Sequence, residues 1–420
     1  MKLRADFIYK LMLTVLLFIP VAMGAPELII LYALFISIFA FFDVGLKLSG
    51  KALNAIFPLV IIFFEGLIIS LFYKNSMYDF AKDLFFFLKP ILFIFLGYYL
   101  VTRIKDKDFI FKLIINLALL FALWHILTIL TYVWDNPFNI NKIRFFGGKA
   151  NYIELMALIL LLIRNRQILT GITIKRVRLV KMIILISCIL YFSRTMIIGF
   201  ILLYFSYIGY FKISKKGVSY IFSFITLVGM LYLVLSFIDI DRDSTGIIGF
   251  LYKIKIAPSE IFTTDIDLDT HSFLWDHWRG YEAAKAFEQL GDTPYNVGFV
   301  FGKGFGALVD LGFLAPLSET GEQFIPTLHN GYAYIIFKTG FFGLFFFLLF
   351  LIYVYFQAYS KSGVLRVRAI SNLIGGIALF YAFTALIIGG IYNHGDIITV
   401  LLGAMFALKH FFVFKLYKST

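Results

Sequence analysis

The sequence has few charged residues and a single cysteine, and it lacks a nucleotide-binding glycine motif. Only 15% of the 420 residues are charged while 61% are hydrophobic, which excludes an ordinary soluble globular domain. The one cysteine, Cys188, lies within an apolar run, so an intramolecular disulfide is excluded and thiol redox chemistry is not indicated. Since Gly-x-x-x-x-Gly-Lys-Ser/Thr does not occur, the glycines between 298 and 306 do not indicate a phosphate loop.

Long apolar runs dominate the chain and predict a polytopic membrane protein. Runs of about 17 to 25 residues are long enough to cross a hydrocarbon core of ~30 Å as helices. We therefore expect an all-α bundle of about 12 transmembrane helices, the first of them retained rather than cleaved as a signal peptide. The predicted spans are residues 7–23, 27–42, 54–73, 84–101, 109–133, 151–163, 179–192, 195–211, 217–238, 329–358, 370–391 and 397–415.

Basic residues predict the orientation of these spans, because Lys and Arg accumulate in cytoplasmic loops. With a cytoplasmic N-terminus, almost every inside loop is basic, and the C-terminus is also cytoplasmic. The net charge of +13 is then explained by topology, and no nucleic-acid partner is expected. The basic stretches assigned to the inside are Lys47 and Lys51, Arg103 to Lys107, Arg164 to Lys181, Lys212 to Lys216, Arg366 and Arg368, and Lys409 to Lys418.

Residues 239–328 form one long polar segment between the ninth and tenth spans. This segment holds 14 acidic and 6 basic residues, reversing the charge of the rest of the chain. It divides the protein into spans one to nine (1–238), a mostly helical extracytoplasmic cap (239–328) and spans ten to twelve (329–420). The cap is expected to contain a helix over Trp275–Phe287, and its off-centre position weighs against a transporter with two matched halves.

Six ionisable residues fall at membrane depth, where a charge at a helix centre costs about 2.5 to 3.5 kcal/mol, so each is a functional candidate. Arg194 is expected at the outer boundary, facing the bundle, with snorkelling to the interface as the alternative for both Arg194 and Lys338. Glu65 and Lys89 are candidates for pairing with each other. The six are Glu65, Lys89, His125, Glu154, Arg194 and Lys338.

Four short patterns lie on or near the predicted outer face. They are Arg144-Phe-Phe-Gly147 followed by Asn151, then Ser193-Arg194, then Trp278-Arg279-Gly280-Tyr281-Glu282 before a glycine run, and finally His329-Asn330 followed by Gly340 and Gly343.

In these patterns the chain resembles the O-antigen ligase and polymerase family of bacterial envelope glycosyltransferases. The family signature is met by His329 and Asn330, then nine residues, then Gly340 and Gly343. The resemblance implies an enzyme of the bacterial inner membrane with its large loop in the periplasm. Its donor would be an undecaprenyl-pyrophosphate-linked glycan, and its acceptor a lipid-linked repeat unit or a lipid A core sugar.

Such a transfer requires a base for the acceptor proton and positive charge for the departing pyrophosphate. The resemblance implies that His329 is the general base and that Arg194 and Arg279 bind the pyrophosphate. Arg144 is a weaker third arginine, and Asn330 is assigned to substrate binding with them. Imidazole can accept the hydroxyl proton near neutral pH, and guanidinium groups can bind the pyrophosphate through bidentate contacts.

No cofactor or metal is expected, since arginines take the place of a cation in the family. Asp239, Asp241 and Asp243, and again Asp265, Asp267 and Asp269, are interpreted as solvated acidic loops, with a divalent-cation site as the alternative. A polymerase of repeat units is the preferred function, a ligase is the close alternative, and a flippase for the same lipid-linked glycan is a more distant one.

Overall fold

The structure is a computed structural model, and it describes residues 2–22, 26–44, 50–136, 143–144, 148, 150–162, 177–242, 244, 246–264, 271–317, 321–360 and 362–417. Several features of the predictions lie outside these ranges: Gly147, Asp243 and the aspartates at 265, 267 and 269.

The protein is mostly helical, as its apolar composition predicts. The helices are α1 (Lys2–Ala22), α2 (Pro26–Val44), α3 (Gly50–Ser70), α4 (Met77–Arg103), α5 (Phe109–Asp135), α6 (Asn151–Leu162), α7 (Val177–Leu190), α8 (Arg194–Tyr207), α9 (Lys215–Phe237), α10 (Gly246–Lys255), α11 (Ser259–Phe262), α12 (His271–Gly291), α13 (Val297–Phe301), α14 (Gly331–Phe356), α15 (Leu365–Ile388) and α16 (Ile398–Tyr417).

Each of the twelve predicted spans coincides with one helix, namely α1 to α9 and α14 to α16. Within the described residues, seven helices are long and apolar enough to cross a membrane, and three shorter apolar helices accompany them. A helical membrane protein is therefore confirmed at this level. The seven are α1, α3, α4, α5, α9, α14 and α15.

Helix α4 lies at the centre of the bundle and packs against α1, α2, α3 and α16. Glycines allow its closest approach to α16. A methyl group on Gly97 would lie 2.0 Å from the carbonyl oxygen of Val400, and one on Gly403 would lie 2.0 Å from that of Ile94. Small residues at this crossing let the two backbones touch, which is the usual way that membrane helices gain packing energy.

The polar segment folds into helices α10 to α13 and a two-stranded antiparallel sheet formed by β1 (Val309–Ala315) and β2 (Glu322–Ile325). Helix α12 includes the predicted helix over Trp275–Phe287, and it packs against α14 and β1. The sheet is an addition to the expected all-α fold. We call the segment 239–328 the cap, and the side of the bundle that it covers the cap end.

The glycine run after α13 packs directly on α14. The backbone N–H groups of Lys303 and Gly304 donate to the carbonyl oxygens of Phe337 and Lys338, both at 2.9 Å. Helix α14 is interrupted at Gly340, whose φ of 62° breaks the helical path. The break divides α14 into a first half, Gly331–Thr339, and a longer second half. The glycines therefore serve close backbone contact rather than ligand binding.

Replacing Gly340 by alanine is expected to lower the stability of the protein by about 2 kcal/mol or more. The new methyl group would lie 2.1 Å from the carbonyl oxygen of Val300, and the positive φ adds backbone strain. Thermal denaturation in detergent measures the effect. Gly229→Ala on α9 is the matched control, because no atom lies within 4 Å of the place that its new methyl group would take. An equal melting temperature for the two variants would contradict the explanation.

Two of the alternatives considered for buried charge are not found in the structure. Lys338 does not snorkel: it is fully buried and pairs with Asp83 on α4, whose carboxylate also accepts from Tyr334. Glu65 and Lys89 do not pair either. Lys89 donates to the carbonyl oxygens of Asn393 and His394, and among the described residues neither carboxylate oxygen of Glu65 has a hydrogen-bond partner.

Two of the three remaining membrane-depth candidates, His125 and Glu154, form a polar cluster between α5, α6 and α7. His125 shares a hydrogen bond of 2.8 Å between its Nδ1 and Ser187 Oγ, and the Tyr191 hydroxyl donates to Glu154 at 2.9 Å. His125 is thus a hydrogen-bonded core histidine.

Candidate functional site

Helix α12 carries Arg279 into the interior of the cap end. The Nη1 of Arg279 lies 2.6 Å from a carboxylate oxygen of Glu260 on α11, and its Nε donates to the carbonyl oxygen of Ile387 at 3.0 Å. The second contact ties the cap to the end of α15. Arg279 is therefore held from two directions, which fixes the plane of its guanidinium group.

Arg194 begins α8 and points at the same carboxylate. Ser193 caps this helix by accepting from the backbone N–H of Met196, so the chain turns sharply into α8 at this point. The Nη2 of Arg194 lies 3.0 Å from both oxygens of Glu260, and its Nη1 donates to the carbonyl oxygen of Lys253. Arg194 faces the protein, as predicted, and does not snorkel.

Arg144 and Lys253 add positive charge around the same carboxylate. Arg144 keeps an exposed surface, but the surrounding protein removes water from its guanidinium and lowers its pKa. The charges of Arg194 and Arg279 lower this pKa further, whereas Glu260 raises it. Burial likewise lowers the pKa of Lys253. We call Arg144, Arg194 and Arg279 the arginine cluster, with Glu260 at its centre.

His329 lies just before α14 and contacts the carboxylate of Glu282. Its Nδ1 lies 3.1 Å from both carboxylate oxygens, and its backbone N–H donates to one of them. The Glu282 side chain is 1% exposed whereas that of His329 is 52% exposed. The imidazole is thus anchored on its Nδ1 side, and much of the ring remains accessible.

Asn330 begins the helix that follows His329. Its side-chain oxygen accepts from the backbone N–H groups of Tyr332 and Ala333, at 3.0 and 3.2 Å. This is a helix N-cap. The structure therefore assigns that oxygen of Asn330 to capping α14, which differs from the expected contact with substrate.

Helix α12 joins the histidine to the arginine cluster. Arg279 and Glu282 are three residues apart, so their side chains leave the helix on one face about 5 to 6 Å apart at Cβ. One turn of helix thus holds both the carboxylate that binds His329 and a guanidinium of the cluster. All five predicted site residues lie at the cap end, and among them the side-chain oxygen of Asn330 caps α14.

An apolar groove of about 390 Å³ runs beside the arginine cluster. It is bounded by side chains of α6, α7, α8 and α10, and Ser193, the neighbour of Arg194, lies on its wall. Cys188 lines this groove and is half-buried rather than a core residue. Representative lining residues are Leu155, Leu158, Phe192, Phe200, Ile247 and Phe250.

Sequence reasoning missed the two carboxylates of the site. Glu282 belonged to the quoted pattern that contains Arg279, and its spacing of three residues was the available signal for a shared helix face. Glu260 had no such signal, because its arginine partners are 66 and 19 residues away in sequence.

Of the two acidic triplets, only Asp239 and Asp241 lie within the described residues. Asp239 and Asp241 follow α9, and within the described ranges no group of three or more His, Cys, Asp or Glu side chains is arranged to hold a metal ion.

No protein-family model matches the sequence, and no curated protein matches it significantly.

Proposed function

We propose that the protein is a membrane glycosyltransferase that moves a glycan from undecaprenyl pyrophosphate to a sugar hydroxyl at the periplasmic face of the bacterial inner membrane. The observation that carries the proposal is the position of Arg279 and Glu282 on one turn of α12. This turn holds an accessible imidazole next to a cluster of guanidinium groups. Glycan transfer needs a base for the hydroxyl nucleophile and positive charge for the diphosphate leaving group, and the two must lie side by side.

The arginine cluster suits the departing diphosphate. When the bond between the anomeric carbon and the diphosphate oxygen breaks, its electron pair stays on the diphosphate, which gains one negative charge. Guanidinium groups that are already oriented stabilise this charge as it develops. The carbonyl oxygens of Lys253 and Ile387 hold Arg194 and Arg279 independently of any bound anion, so these two arginines need little reorganisation.

His329 suits the acceptor. Because a carboxylate only accepts hydrogen bonds, Glu282 favours the tautomer with its proton on Nδ1, which leaves the lone pair on Nε2 free. In the transfer, Nε2 takes the hydroxyl proton as the acceptor oxygen forms its bond to the anomeric carbon. Glu282 then stabilises the imidazolium that results, and it acts as a positioning residue.

The apolar groove supports a lipid-linked donor. Its walls are almost entirely hydrocarbon, and Arg194 directly follows the wall residue Ser193. A polyprenyl tail in the groove would therefore place its phosphates beside the guanidinium groups. The lipid chain can stay among membrane lipids while its head group reacts.

The proposed topology has twelve spans, both termini in the cytoplasm and the cap in the periplasm. Basic residues at the end of the bundle opposite the cap support it. Arg103 ends α4, Arg366 begins α15 and Lys409 lies near the end of α16, all at that opposite end. The buried groups Asp83, Lys89, Glu154 and Lys338, by contrast, gather near the cap end.

This gathering favours an enzyme over a flippase. A path for a lipid-linked glycan would need polar groups along the whole width of the membrane. Transfer by the purified protein without an energy source would support the enzyme, and energy-dependent movement of the lipid without transfer would contradict it.

Polymerisation of repeat units is the preferred reaction, in keeping with the contexts His329-Asn330-Gly331-Tyr332 and Lys338-Thr339-Gly340. Ligation to lipid A core is the second candidate, favoured by the nine-residue spacing before Gly340. The envelope glycan of a deletion strain separates the two. Loss of a polymerase should leave one repeat unit on the core, whereas loss of a ligase should leave none and accumulate lipid-linked polymer.

Replacing Glu282 by glutamine is expected to lower the transfer rate about 10²-fold or more while donor binding persists. The amide nitrogen would donate to Nδ1 of His329 and favour the tautomer whose Nε2 carries the proton. The amide oxygen can still accept from the backbone N–H of His329, so the fold is retained.

Transfer assays and the ¹⁵N chemical shifts of the His329 ring measure the two effects of Glu282→Gln. Glu288→Gln is the control, since it removes a carboxylate from the exposed side of the same helix. A normal rate together with an unchanged tautomer would contradict the positioning role.

A further inference from the structure

The arginine cluster already contains an anion, the carboxylate of Glu260. This side chain is 9% exposed, and it contacts Arg194 through both oxygens and Arg279 through one. A carboxylate and a phosphate bind a guanidinium group in the same bidentate manner. Glu260 thus occupies the position that the phosphate oxygens of a donor lipid would take.

The segment that carries Glu260 also borders the apolar groove. Ile247 and Phe250 of α10 line the groove. The backbone carbonyl oxygen of Lys253, on the same helix, accepts a hydrogen bond from Arg194. Glu260 follows on α11, the next short helix. Head-group site and tail groove are therefore closed by one continuous stretch of chain, residues 246–262.

In a bilayer, other anionic lipids compete for a site of this kind. Anionic phospholipids surround the protein at high local concentration, and each joins one singly charged phosphodiester to apolar tails. Three free guanidinium groups beside an apolar groove would bind such lipids readily. A site for a scarce diphosphate lipid must therefore reject abundant lipids that also combine a phosphate with apolar tails.

We propose that Glu260 is a specificity-determining residue that excludes lipids with a single phosphate and admits lipid diphosphates. The inference rests on the proposed function and deepens it. An incoming head group must displace a carboxylate that is tethered at the site and has a high effective concentration. One phosphate can replace the contacts of Glu260 with Arg194 and Arg279 but gains nothing further.

A diphosphate makes more contacts with the arginine cluster than the Glu260 carboxylate that it displaces. Its second phosphate reaches beyond the pair that Glu260 bridges, toward Arg144, whose guanidinium lies close enough to Glu260, Arg194 and Arg279 to interact with their charges. A diphosphate diester also places its two negative charges on two separate phosphates, whereas a carboxylate or a single phosphate holds its charge at one point. Selectivity thus follows from competition, because only the larger anion outcompetes the internal one.

Binding of defined lipids to the purified full-length protein in detergent tests the proposal. The probes are undecaprenyl diphosphate and undecaprenyl monophosphate, which share one tail, and phosphatidylglycerol as the abundant competitor. The wild-type protein is expected to bind the diphosphate about 10-fold or more tightly than the other two. In Glu260→Gln, the two single-phosphate lipids should bind about 10-fold more tightly than in wild type, so that the preference largely disappears.

Two variants complete the test. Glu288→Gln removes a carboxylate from the cap far from the arginines and should keep the wild-type preference. If Glu260→Gln folds poorly, Glu260→Asp keeps the charge but shortens the side chain, so it should bridge the arginines less well and show an intermediate preference.

The outcomes distinguish this inference from the proposed function. An unchanged preference in Glu260→Gln, or equally weakened binding of all three lipids, would overturn the inference and leave Glu260 as an organiser of the arginines. If the wild-type protein and both Glu260 variants bind no undecaprenyl diphosphate, the proposed function and the inference fail together.

Discussion

Replacing His329 by alanine is expected to lower glycan transfer by about 10²- to 10⁴-fold, because the acceptor hydroxyl loses its general base. The substitution should not disturb the fold. The backbone N–H of residue 329 still donates to Glu282, and Asn330 still caps α14. Binding of the lipid diphosphate should persist, since the arginine cluster is untouched.

Transfer and donor binding must be measured on the same preparation of His329→Ala, so that loss of catalysis is separated from loss of substrate. His410→Ala is a suitable control, because His410 contacts Tyr98 at the end of the bundle opposite the cap. A fully active His329→Ala protein would show that this imidazole is not the base.

Replacing Arg279 by alanine is expected to weaken binding of lipid diphosphate and to lower kcat/KM by about 10- to 100-fold. This is the range for losing a hydrogen bond of about 1.5 to 3 kcal/mol to a charged group. Arg194 would keep Glu260 paired, so the cap should still fold. Arg279→Lys should recover little, because an ammonium group cannot contact Glu260 and the carbonyl of Ile387 with one rigid plane.

The measurement for Arg279 is the affinity for undecaprenyl diphosphate together with kcat/KM. Lys285→Ala is the matched control, because it removes a basic side chain from the same helix, where Lys285 pairs with the exposed Glu288. Equal affinities for Arg279→Ala and Lys285→Ala would exclude Arg279 from the diphosphate site.

The helices could be predicted from the sequence because membrane helices satisfy their own backbone hydrogen bonds, so a long apolar run is enough to identify one. The hairpin of β1 and β2 was not predicted. Its strand Val309–Ala315 lies in a phenylalanine-rich chain where apolar residues are common on both faces, which hides the alternation of a strand.

The charged residues show which contacts local sequence patterns cannot predict. Arg194 was placed correctly because its position between two apolar runs is a local feature. The buried ion pair of Lys338 could not be predicted, because its partner, Asp83, is 255 residues away and no local pattern reveals such a pair. Glu260 became visible only with the tertiary contacts that bring the cap onto α8, whereas Glu282 shared a helix face with Arg279 but its partner His329 did not show in the sequence.

The break in α14 has a mechanical consequence for the protein. Spanning helices tilt when the bilayer thickens or thins. The second half of α14 exposes Phe341 and Phe345 on its surface, whereas the first half is buried and its carbonyls bond to the glycine run. Because Gly340 interrupts the helix between them, tilting of the second half is absorbed at that residue. We therefore expect the imidazole of His329 to keep its position in membranes of different thickness.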